Sequence, residues 1–102
     1  MTAEPLPEDS KELAAGWFRR LRDSICRDLE SLEDEVKGPN AHMPPGRFVR
    51  EPWERPEGGG GEMSMLHGRV FEKAGVHISA VHGRFSADFA RNIPGTDENA
   101  EF

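Results

Sequence analysis

The first third of the chain carries apolar side chains at intervals of three and four residues. These positions are Ala14, Phe18, Leu21, Ile25, Leu29, Leu32 and Val36. Because residues three and four apart share one face of an α-helix, the pattern predicts a long amphipathic helix over about residues 9–37. Asp9 followed by Glu12 fits a capping box at the start of this helix. Lys37, Gly38 and Pro39 form a stop signal at its end.

Residues 47–83 carry shorter runs, which are typical of β-structure. The strand candidates are residues 48–55, 63–66, 69–73 and 76–81. Pro52 restricts the first run to a sheet edge or a bulge, because proline lacks the N–H that a central strand donates. His67 and Gly68 are placed to form a hairpin turn between the second and third runs. Side chains alternate along the fourth run, as they do across a strand.

The two ends of the chain complete the predicted architecture. Ser86 is placed to cap a short helix over about residues 86–92, which Pro94 and Gly95 end, and residues 1–8 are expected to form a disordered tail. The predicted fold class is α+β, with a long N-terminal helix followed by antiparallel strands. Only 35% of the residues are hydrophobic, and they lie in two separate blocks. We therefore expect residues 9–102 to be a fragment of a larger, helix-flanked antiparallel sheet.

Charge and cysteine content narrow the possible partners and compartment. The net charge is −6, whereas nucleic-acid binding favours a basic surplus, so no nucleic-acid partner is expected. Cys26 is the only cysteine and forms no internal disulfide, which favours a reducing compartment; inside a helical pattern it is expected to be a small buried apolar group. The acidic N-terminus lacks the features of a signal or transit peptide, and no apolar run approaches a transmembrane span. We expect a cytoplasmic protein with no integral membrane segment.

The four consecutive glycines Gly58 to Gly61 are the most distinctive local feature. Their run, from Glu57 to Glu62, has no ordering propensity of its own. A glycine run lets backbone amides approach a ligand closely, but the spacing matches no phosphate-binding motif. From these residues alone, a flexible linker and a ligand-facing turn both remain open.

The segment that precedes the glycines combines basic and aromatic residues. Alternation on a strand would bring one set to the same face: Arg47, Val49, Glu51, Trp53 and Arg55. Arginine pairs bidentately with carboxylates, and aromatic rings stack on flat ligands. A solvated edge strand whose charges discourage aggregation explains the same residues.

The remaining polar residues predict no catalytic or metal site within this chain. His77 and His82 have opposite parity on a strand, so they do not converge on a metal ion, and the histidines are expected in turns or at the surface. No serine is visibly placed beside a histidine and an acid. Glu72 and Lys73 are adjacent and would face opposite ways, as edge or interface charges do.

A longer pattern links the glycines to their neighbours. Its elements, in order, are Trp53-Glu54-Arg55, Gly58 to Gly61, Ser64, Leu66, Gly68, Val70-Phe71-Glu72-Lys73-Ala74-Gly75-Val76, Ser79, Val81 and Gly83. This pattern resembles the N-terminal signature of the oxygen-dependent coproporphyrinogen III oxidases. The specific part is the glycine block joined at this distance to Phe71 through Val76. One departure is His77, where the family more often has asparagine.

The resemblance implies an enzyme of haem biosynthesis. The family converts coproporphyrinogen III to protoporphyrinogen IX by oxidative decarboxylation, with molecular oxygen as co-substrate. It uses no organic cofactor, and its need for a divalent metal is unsettled. The implied fold is a large antiparallel sheet with helices on both sides, in a homodimer whose active site lies in a cleft between sheet and helices.

The same resemblance implies that this chain holds substrate-contacting residues but no catalytic ones. The substrate-binding candidates are Trp53, Arg55, Gly59, Gly60, Gly61, Ser64 and Lys73. Arg55 would pair with a propionate, Trp53 would pack near the macrocycle, and the glycines would allow close backbone approach. Each of them is equally placed to support the sheet edge.

Family members are about three times as long as this chain, so we expect it to be an N-terminal portion that is inactive alone. Two alternatives remain open from the sequence. One is a non-catalytic tetrapyrrole-binding module. The other is an interaction module that uses the helix over residues 9–37 to pair with another helix.

Overall fold

The computed structural model describes residues 9–95 and 98–102, so the tail predicted over residues 1–8 lies outside it. The elements in chain order are α1 (Ser10–Glu35), a 3₁₀ turn (Pro39–His42), β1 (Val49–Glu54), β2 (Gly59–Leu66), β3 (Ala74–Gly75), β4 (Ile78–Val81) and α2 (Ala87–Ala90). The strands pair antiparallel. A long N-terminal helix followed by antiparallel strands confirms the α+β fold class.

Both ends of α1 differ in detail from the sequence prediction. Asp9 occupies the N-cap position, but its side chain makes no capping hydrogen bond, so the predicted capping box does not form. At the other end, Val36 is already extended. Gly38 then adopts a φ of 107°, a left-handed value that favours glycine, immediately before the 3₁₀ turn.

Strand β2 is the centre of the sheet. It pairs along one side with β1, from Val49 opposite Met65 to Glu54 opposite Gly60. Its other side pairs with β4 over residues 59–62 and with β3 over residues 65–66. Gly59 to Gly61 are therefore ordered within a strand, because pairing on both sides supplies the order that glycine lacks by itself.

The segment 69–73 is not a strand, and this prediction was wrong. It is a loop that wraps the end of α1, and Gly68 donates a backbone hydrogen bond to Phe71 O at 2.8 Å. His67 and Gly68 therefore do not turn a hairpin. The loop conformation is decided by a buried carboxylate of α1, Glu33, which the predicted apolar stripe does not include.

Helix α1 covers one face of the sheet unevenly. Cys26 is buried, as expected, together with Leu66. In contrast, the predicted apolar stripe stays largely exposed at Phe18 (54%) and Leu32 (48%). None of the helices described is long and apolar enough to cross a membrane.

Candidate functional site

A cleft of about 780 Å³ separates the N-terminal half of α1 from strands β2 and β4. We call it the glycine cleft. On the helix side it is lined by Ala14, Ala15 and Phe18, and on the sheet side by Gly60 and Gly61, among others. The gap exists because small residues face one another: neither the alanines nor the glycines have the side-chain volume to close it.

The glycines of β2 also allow the neighbouring strands to approach. A Cβ atom on Gly60 would lie 2.4 Å from Trp53 O, and one on Gly61 would lie 2.2 Å from Ile78 O. A Cβ on Gly59, whose φ is +84°, would lie 2.1 Å from Ala80 O. Any side chain at these positions would push the sheet apart. The block is therefore required by the sheet, and it leaves bare backbone on the floor of the cleft.

Three cationic side chains line the glycine cleft: Lys11, Arg19 and Arg22. Of these, Arg22 is 5% exposed and its charge is balanced, with Nη1 2.7 Å from Oε1 of Glu62 and Nε 3.0 Å from Oδ1 of Asp23. Arg50 of β1 also donates to Asp23. This network ties α1 to β1 and β2 beside the cleft.

The pKa of Asp23 reflects the same network. Burial would raise the pKa of this carboxyl, but hydrogen bonds and charge from Arg22 and Arg50 hold it below its ordinary value. The carboxylate therefore stays ionised at neutral pH, and the link between helix and sheet persists.

Below the cleft, the carboxylate of Glu33 is fully buried and accepts four backbone N–H bonds. Oε1 accepts from Gly46 and Arg69, each at 2.7 Å, and Oε2 accepts from Val70 at 2.6 Å and Phe71 at 2.9 Å. Burial alone would raise the pKa of Glu33, but these amide donors lower it to about 2. Glu33 thus fastens both the 67–73 loop and the chain before β1 to the helix.

Arg69 completes this junction from the loop side. Its guanidinium donates to the carbonyls of Glu33 at 2.8 Å and Asp34 at 3.3 Å, which are free carbonyls at the C-terminus of α1. It also donates to the carbonyls of Ala41 and Met43, each at 2.9 Å. One arginine therefore caps the helix and holds the 3₁₀ turn in place.

Two of the predicted substrate-contacting residues, Arg55 and Trp53, lie outside the glycine cleft. Arg55 donates to the carbonyls of Gly58 at 3.2 Å and His82 at 2.7 Å, and it lies over the ring of Phe102. These bonds join the turn before β2 to the end of β4. Trp53 lies on β1 with 36% of its surface exposed.

Ser64 and Lys73 lie in contrasting environments. Ser64 is fully buried, its Oγ has no hydrogen-bond partner among the described residues, and its N–H donates to His77 Nδ1 at 3.2 Å. Lys73 is exposed in the loop before β3. Of all the candidates named from the sequence, Gly60 and Gly61 line the glycine cleft, and the others do not. Substrate contact by each candidate stays a prediction.

Sequence reasoning missed the charged residues that build this region: Lys11, Arg19, Arg22, Glu33, Glu62 and Arg69. A signal for two of them was present. Arg22 and Glu33 fall in a second stripe of equal regularity, which contains Phe18, Arg22, Cys26, Leu29, Glu33 and Val36. This second stripe is the face of α1 that packs on the sheet, whereas the wholly apolar stripe is more exposed. In the part of the chain that the structure describes, no group of three His, Cys, Asp or Glu residues converges as a metal site.

Known proteins resemble this chain over most of its length. The family description "Coproporphyrinogen III oxidase" matches residues 14–102. The oxygen-dependent coproporphyrinogen-III oxidase of Rickettsia felis is 45% identical over 94 residues, which is 92% of this chain and 33% of that enzyme. Those of Rickettsia bellii (strain RML369-C) and Rickettsia akari are 45% and 44% identical, and the match again covers 33% of each enzyme. No solved structure matches the chain.

The matched region contains the whole glycine cleft apart from Lys11, together with the Glu33 junction and all four strands. The chain spans about a third of the length of the curated relatives that it matches. Because the family match covers far more than half of its residues, the chain belongs to the coproporphyrinogen III oxidase family.

Proposed function

We propose that this chain serves in the oxygen-dependent oxidation of coproporphyrinogen III to protoporphyrinogen IX in haem biosynthesis, and that its part is one wall of the substrate cleft. The observation that carries the proposal is the glycine cleft, which lies within a region about 45% identical to oxidases of this activity. Its volume of about 780 Å³ lies in the range of small-molecule sites.

The proposed chemistry needs little from the protein beyond placement and proton control. In each of two propionate groups, loss of CO₂ leaves a vinyl group and releases one proton and two electrons; the other two protons that the reduction of O₂ consumes come from solvent. The four electrons reduce one O₂ to two waters. Because a porphyrinogen is electron-rich, the substrate itself supplies these electrons, and no organic cofactor is required. The protein orients the ring and pairs its carboxylates.

Within this scheme the residues of this chain bind the substrate and shape the cleft, and none acts as a catalytic acid or base. Gly60 and Gly61 offer bare backbone to a flat ring. Trp53 and Lys73 remain candidates for substrate contact because both are accessible. Arg55 and Ser64 are placed to act through the sheet that they support, since Arg55 bonds to two carbonyls and Ser64 is buried. A divalent metal has no proposed ligands here.

We further propose that the protein works as a homodimer in the cytoplasm. The support is the uncovered apolar surface of α1, where Leu13 is 64% exposed and Trp17 is 54% exposed. Side chains of this size are normally covered by protein when they lie together on one face. Sedimentation of the active form would test the dimer.

A chimera tests the proposed activity. Residues 14–102 would replace the matching segment of the Rickettsia felis enzyme, and the purified chimera would be assayed aerobically for protoporphyrinogen IX formation. We expect turnover within about 10-fold of the parent enzyme. The 102-residue chain assayed by itself is expected to give none. A chimera that melts cooperatively near the parent's Tm but forms no product would contradict the proposal.

A second candidate function is a helix-mediated interaction module. The specific observation that favours it is again the exposed apolar face, at Leu13, Trp17 and Leu21. If this is the function, helicity of the chain should rise with concentration together with dimer formation, and Trp17→Gln should abolish both. A tetrapyrrole-binding module without catalysis would instead bind the porphyrin and leave it unoxidised.

A further inference from the structure

Two cationic residues of the glycine cleft have no partner within residues 9–95 and 98–102. Lys11 and Arg19 line the cleft from the N-terminal half of α1, and the side chain of neither forms an ion pair or hydrogen bond with the described residues. We infer that the glycine cleft binds a flat, carboxylate-bearing ring, and that Lys11 and Arg19 pair with its carboxylates. This inference rests on the proposed function and assigns the substrate's acidic groups to α1.

The shape of the cleft fits a flat apolar body. The floor is backbone at Gly60 and Gly61, with Ile78 and Ala80 of β4 beside them, and Phe18 presents an aromatic ring from the helix. The glycine floor is low in relief, whereas the helix wall carries the long side chains of Lys11, Arg19 and Arg22 besides its two alanines. The face of a planar ligand entering here would lie against the peptide planes of Gly60 and Gly61 and the ring of Phe18.

The charge of the cleft fits an anion. Among the described residues of the lining, the only acidic one is Glu62, and Arg22 neutralises it at 2.7 Å. After that pairing, Lys11 and Arg19 leave the cleft with two positive charges, although the chain carries a net charge of −6. Local positive charge in an acidic protein is a specific attraction for an anionic ligand, since the rest of the surface repels it.

The spacing of the two cations suits a ligand with more than one carboxylate. Lys11 and Arg19 are eight residues apart in the sequence, which is about 12 Å along a helix axis. Two carboxylates on different edges of one ring, such as the propionates of coproporphyrinogen, match this separation, with one carboxylate at each cation.

The test measures binding of coproporphyrin III, a stable oxidised analogue, to the full 102-residue chain by fluorescence titration. The double variant Lys11→Gln/Arg19→Gln is compared with Arg20→Gln/Arg27→Gln. The control pair lies on the same helix, outside the cleft lining, and gives the same net charge. We expect the cleft variant to bind at least about 10-fold more weakly than the control variant. Added salt should reduce binding by the original chain more than binding by the cleft variant.

Equal weakening in the two variants would overturn the inference, because it would mean that only net charge matters. The inference would also be overturned if the original chain, at about 100 μM and low ionic strength, did not bind the porphyrin. Circular dichroism of both variants shows whether each retains the helix, so that a loss of binding is not a loss of fold.

The chimera separates this inference from the proposed function. If the chimera is active, Arg19→Gln, which lies within the exchanged residues 14–102, should raise KM for coproporphyrinogen III by about 3-fold relative to Arg20→Gln. An active chimera whose KM does not change would refute the inference and leave the proposed function intact. A folded but inactive chimera would refute the proposed function. In that case the titration of the chain with coproporphyrin III would still test whether Lys11 and Arg19 bind carboxylates.

Discussion

At the scale of single residues, one buried carboxylate joins three separate parts of this chain: helix α1, the segment before β1 and the loop before β3. Glu33 has no exposed surface, and its two oxygens accept four backbone N–H bonds, one from the segment before β1 and three from the loop before β3. A Cβ on Gly68 would lie 2.2 Å from Glu33 Oε1, so the loop also needs glycine at this position. An ion buried in this way is stable only while all its partners remain.

Glu33→Gln should therefore destabilise the fold. The amide –NH₂ group cannot accept hydrogen bonds, so it leaves two buried backbone donors unpaired. We expect the Tm at pH 7 to fall by on the order of 10 °C. Differential scanning calorimetry would measure this, with Glu35→Gln on the exposed end of the same helix as the matched control. An unchanged Tm for Glu33→Gln would show that the loop does not depend on the charge.

The pH dependence of stability follows from the same carboxylate. Its pKa falls from an ordinary value of 4.5 to about 2 on folding, so the unfolded chain binds the proton more tightly than the folded chain does. The stabilisation is fully present above pH 4.5 and is lost as pH falls toward 2. The Tm difference between the original chain and Glu33→Gln should shrink over this window. A constant difference from pH 6 to pH 2 would contradict this assignment.

At the scale of elements, helix α1 and strand β2 form for different physical reasons. The period of apolar residues in α1 predicts a helix without any knowledge of its neighbours, and the structure has one at Ser10–Glu35. Strand β2 has no such local signal over Gly59 to Gly61. These residues are in a strand because β1 and β4 pair with them at distances that only glycine permits.

Alanine substitutions should act oppositely in the two elements. Gly60→Ala puts a Cβ 2.4 Å from Trp53 O and should lower the free energy of unfolding by about 2 kcal/mol. Gly16→Ala, in the middle of α1, meets only the end of the Arg20 side chain at 3.4 Å and should raise it by about 1 kcal/mol. Urea denaturation of both variants measures the two effects. Stabilisation by Gly60→Ala would mean that β1 and β2 leave room for a Cβ atom at this position.

At the scale of the whole molecule, the chain is more extended than its length requires. Its radius of gyration is 19.7 Å, against about 13 Å for a compact domain of 100 residues. Polar links hold much of it together: the Arg22–Glu62 pair, the Glu33 junction and the Arg69 cap. All of them attach to α1 at or after Arg22, so the preceding half of the helix borders the open cleft.

Because these polar links attach to α1 only at or after Arg22, we expect its backbone amides to differ in protection from hydrogen exchange. Backbone amides over residues 24–30 should exchange with solvent on the order of 10-fold more slowly than those over residues 14–20, because only the former lie beside the anchored face. Both segments are interior to α1, so fraying of the helix ends does not produce the difference. Hydrogen exchange followed by mass spectrometry measures it. Equal rates would show that α1 opens as one unit.

The site was less predictable than the fold. Gly60 and Gly61 were identified as candidates because a glycine run is visible in any sequence, and both line the cleft. Lys11 and Arg19 were not, since an isolated cation on a helix is usually solvated. Their significance depends on the residues that face them across the gap, which lie about 40 to 70 positions away in the sequence.

The sequence alone determined the fold class, the long helix and the family resemblance, because periodicity and motif spacing are properties of neighbouring residues. Only the tertiary structure decided which face of α1 packs, that residues 69–73 form a loop around Glu33, and that the glycines form the floor of a cleft. These outcomes depend on buried charge and close strand approach. Both are settled by partners distant in the chain, whose desolvation and hydrogen bonding no local pattern records.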